Sequence, residues 1–302
     1  MKYSIQTDNL NFRYSKSKKI LENLSINVPK GSIYGFLGPN GAGKSTTMRL
    51  LTGIIPDDTN AVKVFGTPLN EQMPDVFNNL GALVESPALY LHLSGEDNLK
   101  YIAKIRGVAD DKIDEVLNLV DLEFARKQKA KQYSLGMKQR LAIAIALLGD
   151  PELLLLDEPV NGLDPNGIVE IRKLLVKISK ERGTTIFISS HLLSEIEKMC
   201  THVGIIANGK LKFEGTMQEL AVKFDVCKVT FVINNAAEWV RNLEQVYPEI
   251  RQEEENAFSI ELQSKNDIPA LTKRIVLGGG EIFEIKIQEG LEEWFMNLTE
   301  SN

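Results

Sequence analysis

The hydrophobic positions of the chain alternate between short apolar runs and stretches with helical spacing. Apolar residues at three- and four-residue intervals predict helices from about Ser94 to Leu148 and an amphipathic crossover helix over Ile168 to Ile178. Short apolar runs bounded by Pro, Gly or polar residues suit strands buried on both faces of a parallel sheet. Three such runs are residues 33–37, 153–156 and 185–188. The alternation predicts an α/β core with an inserted helical subdomain.

Further strands are predicted around this core. Residues 4–12 alternate weakly, and together with residues 20–28 they are expected to form an antiparallel β region. Two short apolar runs, residues 61–65 and 80–84, predict additional strands. Residues 203–213 predict a hairpin that turns at Asn208-Gly209, a dipeptide that favours tight two-residue turns.

The character of the chain changes after Phe224. The pattern predicts strands over residues 228–233, 257–262 and 281–287, and helices over 237–246, 268–277 and 291–298. This βαβαβα order suits a small α+β, ferredoxin-like module without a cluster of catalytic side chains, and we interpret it as a dimer-stabilising or regulatory appendage. The predicted domains are residues 1–224, with a helical subdomain at about 86–150, and residues 225–302.

Composition narrows the classes of function. The net charge is −6, which argues against a nucleic-acid partner. The longest apolar stretch, residues 141–148, is well below the roughly 18 residues of a membrane span, and residues 1–13 do not resemble a secretory leader. Cys200 and Cys227 lie far apart and lack partner ligands, so two inert thiols in a cytosolic protein are expected.

The run from Gly38 to Thr46 has the form GxxxxGK[ST] and stands between a predicted strand and a predicted helix. In that setting the pattern is a P-loop, whose backbone N–H groups surround a phosphate while the helix N-terminus adds its positive dipole end. Lys44 can then reach the β- and γ-phosphates, and the Ser45 hydroxyl can ligate Mg²⁺. The chain is therefore expected to bind a nucleoside triphosphate.

Two further strand ends supply candidate catalytic groups. The apolar run that begins at Leu153 ends in Asp157 and Glu158. In a P-loop fold this places Asp157 next to Ser45 and Mg²⁺, and Glu158 near the γ-phosphate, where a base orients the attacking water. His191 follows the run of residues 185–188, which puts it at the same carboxyl edge of the sheet.

These motifs resemble those of the ATP-binding subunits of ABC transporters, over roughly residues 2 to 220. The heptapeptide from Ser134 to Arg140, SLGMKQR, is similar to the family's signature motif, and Gly162-Leu163-Asp164 is similar to its D-loop. The resemblance implies that ATP lies between two copies in a head-to-tail homodimer, with Ser134 and Gly136 of one copy facing the phosphate held by the other.

The resemblance also assigns roles to two other residues. His191 takes the place of the switch histidine that contacts the γ-phosphate. Tyr14 takes the place of the aromatic residue that stacks on adenine, with Phe12 as the alternative. Since stacking tolerates many bases, the preference for ATP follows from the resemblance and not from the ring.

Glu85 departs from the family pattern. ABC subunits usually carry a glutamine at the start of the helical insertion, where it reaches Mg²⁺ and the attacking water, and this chain has Glu85 there. A carboxylate can ligate Mg²⁺, but it adds negative charge near Asp157 and Glu158. Its position or its pKa must therefore offset the repulsion between the carboxylates. The alternative is a solvated residue at a helix start. A glutamate followed by the Ser86-Pro-Ala-Leu-Tyr90 pattern resembles the ATPase subunits of lantibiotic self-protection transporters, with bacitracin-resistance exporters close in style.

The leading hypothesis is an ATP-hydrolysing exporter subunit with ATP and Mg²⁺ as cofactors, bound at the inner face of the cell membrane to separate transmembrane permease subunits. The alternative is a soluble ABC-type ATPase that regulates a macromolecular partner, which the acidic segments of the C-terminal region disfavour. The predicted catalytic residues are Lys44, Glu158 and His191, and the predicted metal ligands are Ser45, Glu85 and Asp157. The predicted nucleotide-binding residues are Tyr14, Gly38, Asn40, Gly41, Gly43, Lys44, Ser45, Thr46, Glu85, Ser134, Gly136 and Asp164.

Overall fold

A computed structural model of the chain describes residues 2–15, 18–85, 88–223, 227–262, 264–289 and 295. The chain divides into two compact units, Met1–Met217 and Gln218–Asn302. Each unit has a hydrophobic core of its own. Among the residues described, no helix has both the length and the hydropathy needed to cross a membrane.

The first unit contains twelve strands in the described part of the chain. They are β1 (Tyr3–Thr7), β2 (Leu10–Ser15), β3 (Lys18–Leu24), β4 (Asn27–Pro29), β5 (Ile33–Leu37), β6 (Val62–Val64), β7 (Thr67–Pro68), β8 (Leu80–Leu83), β9 (Leu153–Asp157), β10 (Thr185–Ser190), β11 (His202–Ala207) and β12 (Lys210–Thr216). The α-helices of this unit are α1 (Lys44–Leu51), α2 (Leu69–Gln72), α3 (Gly95–Arg106), α4 (Asp111–Leu119), α5 (Leu135–Leu147), α6 (Pro165–Arg182) and α7 (Leu193–Met199), and α8 (Met217–Lys223) spans the boundary between the units.

A six-stranded sheet of order β12-β11-β5-β10-β9-β8 forms the centre of this unit. Its inner strands are parallel, and every residue of β5, β9 and β10 is buried, as expected for strands covered on both faces. The hairpin of β11 and β12 turns at Asn208-Gly209, where both residues have positive φ, as the sequence predicted. The carboxyl ends of β5, β9 and β10 meet at one edge of the sheet.

The predicted antiparallel region is present but more divided than expected. One sheet has the order β4-β1-β6-β7, and β2 pairs with β3. The single strand predicted over residues 4–12 breaks at Asn9, which has φ of 49° and whose N–H donates to Ser25 Oγ. The strand predicted over residues 20–28 is likewise divided into β3 and β4, and Ser25, which accepts the hydrogen bond from Asn9, lies between them.

The inserted helical subdomain consists of α3, α4 and α5 with two short 3-10 turns between α4 and α5. Ser94 caps α3 by accepting a hydrogen bond from the N–H of Asp97. The buried carboxylate of Glu96 forms ion pairs with Lys100, Lys127 and Arg126. The hydrogen bond from Lys100, reinforced by the other two cations, lowers the pKa of Glu96 to about 2.

The second unit has a ferredoxin-like order of elements. Its strands are β13 (Cys227–Ile233), β14 (Arg251–Glu254), β15 (Ala257–Leu262) and β16 (Ile282–Glu289), and its helices after α8 are α9 (Ala236–Leu243) and α10 (Ile268–Leu277). Along the chain these elements follow the order βαββαβ. The four strands form an antiparallel sheet of order β14-β15-β13-β16.

The sequence pattern missed β14. All four of its residues, Arg251–Glu254, are polar and exposed, because the strand lies at the sheet edge and presents no side chain to the core. The helix predicted over residues 291–298 lies outside the described residues except for Phe295. With β14 added, the predicted α/β core and ferredoxin-like module are confirmed.

Candidate active site

The loop between β5 and α1 requires glycine at two positions. Gly43 has φ of 111°, and a Cβ atom there would lie 2.6 Å from Leu21 Cδ2. A Cβ atom on Gly38 would collide with the backbone oxygen of Ile206 in β11. Because glycine has no Cβ atom at these two positions, the loop can lie close to β3 and β11 and lead directly into the N-terminus of α1.

Lys44, the first residue of α1, connects this loop to the acidic side of the site. Its side chain is only 6% exposed, and Nζ donates to the backbone oxygens of Gly38 at 2.8 Å and Pro39 at 3.2 Å. The same ammonium group lies 3.3 Å from Glu158 Oε1. A buried ammonium needs such partners, and oxygen atoms of a phosphate would satisfy it equally.

A cleft of about 550 Å³ opens over the loop. It brings together eight of the residues predicted from the sequence with two that were not. The predicted residues are Asn40, Gly41, Gly43, Lys44, Ser45, Thr46, Glu158 and His191, and the others are Ile20 and Asn161. Ile20 comes from β3, and Asn161 belongs to the turn after β9, where its N–H donates to the backbone carbonyl oxygen of Glu158.

The acidic pair lies at the end of β9, where Glu158 lines the cleft and Asp157 is buried and does not line it. Asp157 is 7% exposed and lies opposite Ser189 in the parallel register of β9 and β10. The Ser189 hydroxyl donates to Asp157 Oδ1 and accepts from the N–H of Glu158 at 3.0 Å. Sequence reasoning missed Ser189, since one serine in a buried strand has no distinctive spacing.

Glu158 and His191 form the polar centre of the cleft opposite Lys44. His191 Nδ1 lies 2.7 Å from Glu158 Oε2, while Glu158 Oε1 faces Lys44. Glu158 has φ of 48°, in the left-handed region that non-glycine residues rarely adopt. Such a conformation persists only where neighbouring contacts determine it, and it turns this carboxylate away from β9 and into the cleft.

Tyr14 and Glu85 lie at one side of the cleft, connected by Arg49. The Tyr14 hydroxyl is 3.5 Å from Thr46 Oγ1 and accepts a 3.1 Å hydrogen bond from Arg49 Nη1. Arg49 Nη2 forms an ion pair with Glu85 Oε1. The hydrogen bonds with Thr46 and Arg49, together with the charge of Arg49, lower the pKa of the Tyr14 hydroxyl.

The two candidate stacking rings differ in exposure. Tyr14 is 58% exposed, whereas Phe12 is partly buried and packs against the hydrophobic core. The rings meet edge to face with centroids 4.8 Å apart. The exposed face of Tyr14 is therefore the one available to a base.

The residues expected to act across a dimer lie on two helix N-termini. Ser134 caps α5, with its Oγ accepting from Met137 N at 3.2 Å, and Asp164 caps α6 by accepting from Gly167 N at 3.1 Å. Gly136 is half-buried on the first turn of α5. These three are described residues, and none of them lines the cleft of its own chain.

The donor set beside the P-loop fits Mg²⁺. Ser45 lines the cleft, and Asp157 is the last residue of β9, directly before Glu158, which also lines the cleft. Hydroxyl and carboxylate oxygens are hard donors of the kind that Mg²⁺ prefers, with phosphates and waters completing its shell. Among the described residues, no group of three His, Cys, Asp or Glu side chains could hold a metal ion alone.

Comparison with known proteins gives a consistent result. The family model described as ABC transporter matches residues 21–161. The bacitracin transport ATP-binding protein BcrA of Bacillus licheniformis is 42% identical over 97% of this chain and 96% of its own. The lantibiotic transport ATP-binding protein SrtF of Streptococcus pyogenes is 43% identical over 70% of this chain and 90% of its own. The solved structure of cbiO1 from Clostridium perfringens, part of the ABC transporter complex cbiONQ, superposes with a TM-score of 0.68 at 27% identity, covering 82% of this chain and 97% of cbiO1.

Proposed function

Since the chain belongs to the ATP-binding proteins of ABC transporters, which are ATPases, we propose that it hydrolyses Mg²⁺-bound ATP in the cleft over the P-loop to power an exporter. The observation that carries this proposal is the convergence of Lys44, Glu158 and His191 on one cleft. Phosphoryl transfer to water requires a cation that binds the phosphates and a carboxylate that orients the water. It also uses a polar group, here the histidine, that contacts the γ-phosphate.

Each residue has a defined part in the proposed reaction. Lys44 exchanges its contacts with Glu158 and the loop carbonyls for the β- and γ-phosphates, which frees the Glu158 carboxylate to orient the attacking water. Ser45 and Asp157 would hold Mg²⁺, which would supply positive charge to offset the charge that develops on the phosphate oxygens. His191 contacts the γ-phosphate while its Nδ1 stays next to Glu158.

The proposed active assembly is a head-to-tail homodimer with two ATP molecules in its interface. Ser134, Gly136 and Asp164 lie at the starts of α5 and α6 and do not line the cleft of their own chain, which is the placement expected if they complete the site of a second copy. The N–H groups at the start of α5 can donate to a phosphate there. Residues 225–302 are proposed as a small domain that stabilises this dimer or regulates it, beside an ATP-binding domain of residues 1–224.

We propose separate membrane permease subunits as the partners and the inner face of the cell membrane as the location. Both proposals are supported by the relatives, which are named as ATP-binding proteins of transport systems. Peptide antibiotics are the proposed cargo, because bacitracin and lantibiotic transport proteins are similar to this chain at 42% and 43% identity. Bacitracin is the first candidate, since the match to that relative extends over 97% of this chain.

The hydrolytic proposal is tested with Glu158→Gln. This change keeps the shape of the side chain and the phosphate contacts of Lys44 but removes the base, so the variant should bind ATP, form a stable dimer and lose turnover by at least about 100-fold. Size exclusion with ATP and a phosphate-release assay measure both properties. Turnover at the wild-type rate, or a monomer at saturating ATP, contradicts the proposal.

The exporter proposal is tested with the same variant. Tagged Glu158→Gln is purified from native membranes with ATP and its partners are identified by mass spectrometry. Multi-span membrane proteins are expected, and growth in bacitracin and in lantibiotics then identifies the cargo. Recovery of soluble partners alone supports the alternative of a regulatory ATPase.

A further inference from the structure

Ser189 joins the two acidic residues of the site through one hydroxyl group. Its side chain is fully buried at the carboxyl end of β10. The hydroxyl proton goes to Asp157 Oδ1, and the hydroxyl oxygen accepts a 3.0 Å hydrogen bond from the N–H of Glu158. Because a hydroxyl has one donor and two acceptor positions, the same group satisfies both contacts.

The contact with Glu158 acts on the backbone. β9 ends at Asp157, and Glu158 adopts φ of 48° immediately after it. The N–H of Glu158 thus leaves the strand ladder and would lack a partner if the Ser189 hydroxyl were removed. The hydrogen bond therefore holds the turn from which the Glu158 carboxylate reaches His191 at 2.7 Å.

The contact with Asp157 acts on the carboxylate. A hydrogen bond to one oxygen restricts rotation about the bond to the carboxyl group and so orients the second oxygen. Asp157 is the carboxylate expected to hold Mg²⁺ beside this cleft, and Ser189 lies fully buried opposite it on the neighbouring strand β10. Ser189 is consequently an outer partner of both acidic residues.

We propose that Ser189 is a positioning residue for ATP hydrolysis, which orients Asp157 toward the bound cation and holds Glu158 in its turn toward the attacking water. The inference rests on the proposed hydrolytic function of the cleft. It predicts that removal of the hydroxyl impairs the chemical step and the response to Mg²⁺ more than it impairs nucleotide binding as such.

The test compares Ser189→Ala with Thr185→Val in the full-length chain. Thr185 is a matched control on the same strand, fully buried and at the opposite end from the site. Its hydroxyl also makes two hydrogen bonds, 2.8 Å to Ser4 Oγ and 2.9 Å from Gly31 N. The measurements are ATPase kinetics, thermal unfolding, and binding of a fluorescent ATP analogue with Mg²⁺ and with EDTA.

Ser189→Ala should lower kcat by about 10- to 100-fold, the range found when an outer hydrogen-bond partner of a metal ligand is removed. The affinity for the analogue in EDTA should stay within about threefold, because Lys44 and the loop are unchanged, while the gain in affinity caused by Mg²⁺ should shrink. Thr185→Val should keep kcat within about twofold of the wild type, since it lies outside the site.

Three results would overturn the inference. They are a Ser189→Ala kcat within about twofold of the wild type, equal losses of kcat in the two variants, and a loss of analogue affinity in EDTA as large as the loss in kcat. If Ser189→Ala does not fold, Ser189→Cys, which is close in volume and forms weaker hydrogen bonds, is judged by the same criteria. Failure of the proposed function is distinguishable, because the wild type would then lack Mg²⁺-dependent ATPase activity.

Discussion

The ion pair of Arg49 and Glu85 separates two roles that Glu85 can have. If Glu85 takes part in the chemistry, its loss slows ATP hydrolysis in the isolated subunit. If it transmits the state of the nucleotide to the permease, its loss impairs transport while hydrolysis continues. The structure favours the second role, because the Glu85 carboxylate is paired with Arg49 and its side chain is largely exposed.

The exposure of the pair sets the magnitude of the effect. The side chains of Arg49 and Glu85 are 33% and 60% exposed. Ion pairs at exposed positions contribute about 0.2–1 kcal/mol. Since about 1.36 kcal/mol corresponds to tenfold in rate, loss of the whole pair changes basal turnover by at most about fivefold.

The assay compares Glu85→Gln, Arg49→Ala and the double variant in a cycle. Basal ATPase activity of the purified subunit is measured beside antibiotic resistance in cells that contain the permease. Glu152→Gln is the control, since Glu152 forms an ion pair with Lys30 at 2.7 Å in which both side chains are about half exposed. We expect basal activity within about fivefold for all variants and a loss of resistance for Glu85→Gln alone and in the double variant.

Two results would refute this reasoning. A fall in basal activity of more than about 100-fold in Glu85→Gln would place the carboxylate among the groups that act on ATP. Unchanged resistance in cells would remove the coupling role.

Two further predictions concern stability. Tyr34→Phe removes a fully buried hydroxyl that donates a 2.8 Å hydrogen bond to Glu214 Oε1. In chemical denaturation the variant should lower the free energy of unfolding of the first unit by about 1.5–3 kcal/mol. A change below about 0.5 kcal/mol contradicts the assigned hydrogen bond. Glu96, whose pKa is lowered to about 2 by Lys100 and its neighbours, contributes stability that is complete above its unfolded pKa of about 4.3 and is lost as pH falls toward 2. The stability difference between wild type and Glu96→Gln should therefore shrink over that interval of acid pH, and a constant difference would show that the charge is not involved.

Local chemistry explains why the P-loop is recognisable in the amino-acid sequence alone. The tight turn depends on glycines at fixed spacing, and the adjoining helix and strand have their own hydrophobic patterns. The crossover helix predicted over Ile168 to Ile178 extends in the structure over Pro165–Arg182, because Asp164 caps it, Pro165 begins it and Gly183 ends it. Elements without such signals were missed or merged, as with β14, whose residues are all exposed.

The sequence by itself determined the fold class, because the order of strand and helix patterns along the chain encodes it. It also determined the nucleotide loop and the acidic strand end, because each is encoded within a few adjacent residues. The tertiary structure alone decided which side chains support them. Ser189 reaches Asp157 only because β9 and β10 pair in one particular register, and Arg49 reaches Glu85 only because α1 lies beside the end of β8. Such contacts join residues more than thirty positions apart, so their partners depend on strand register and packing, which no local pattern contains.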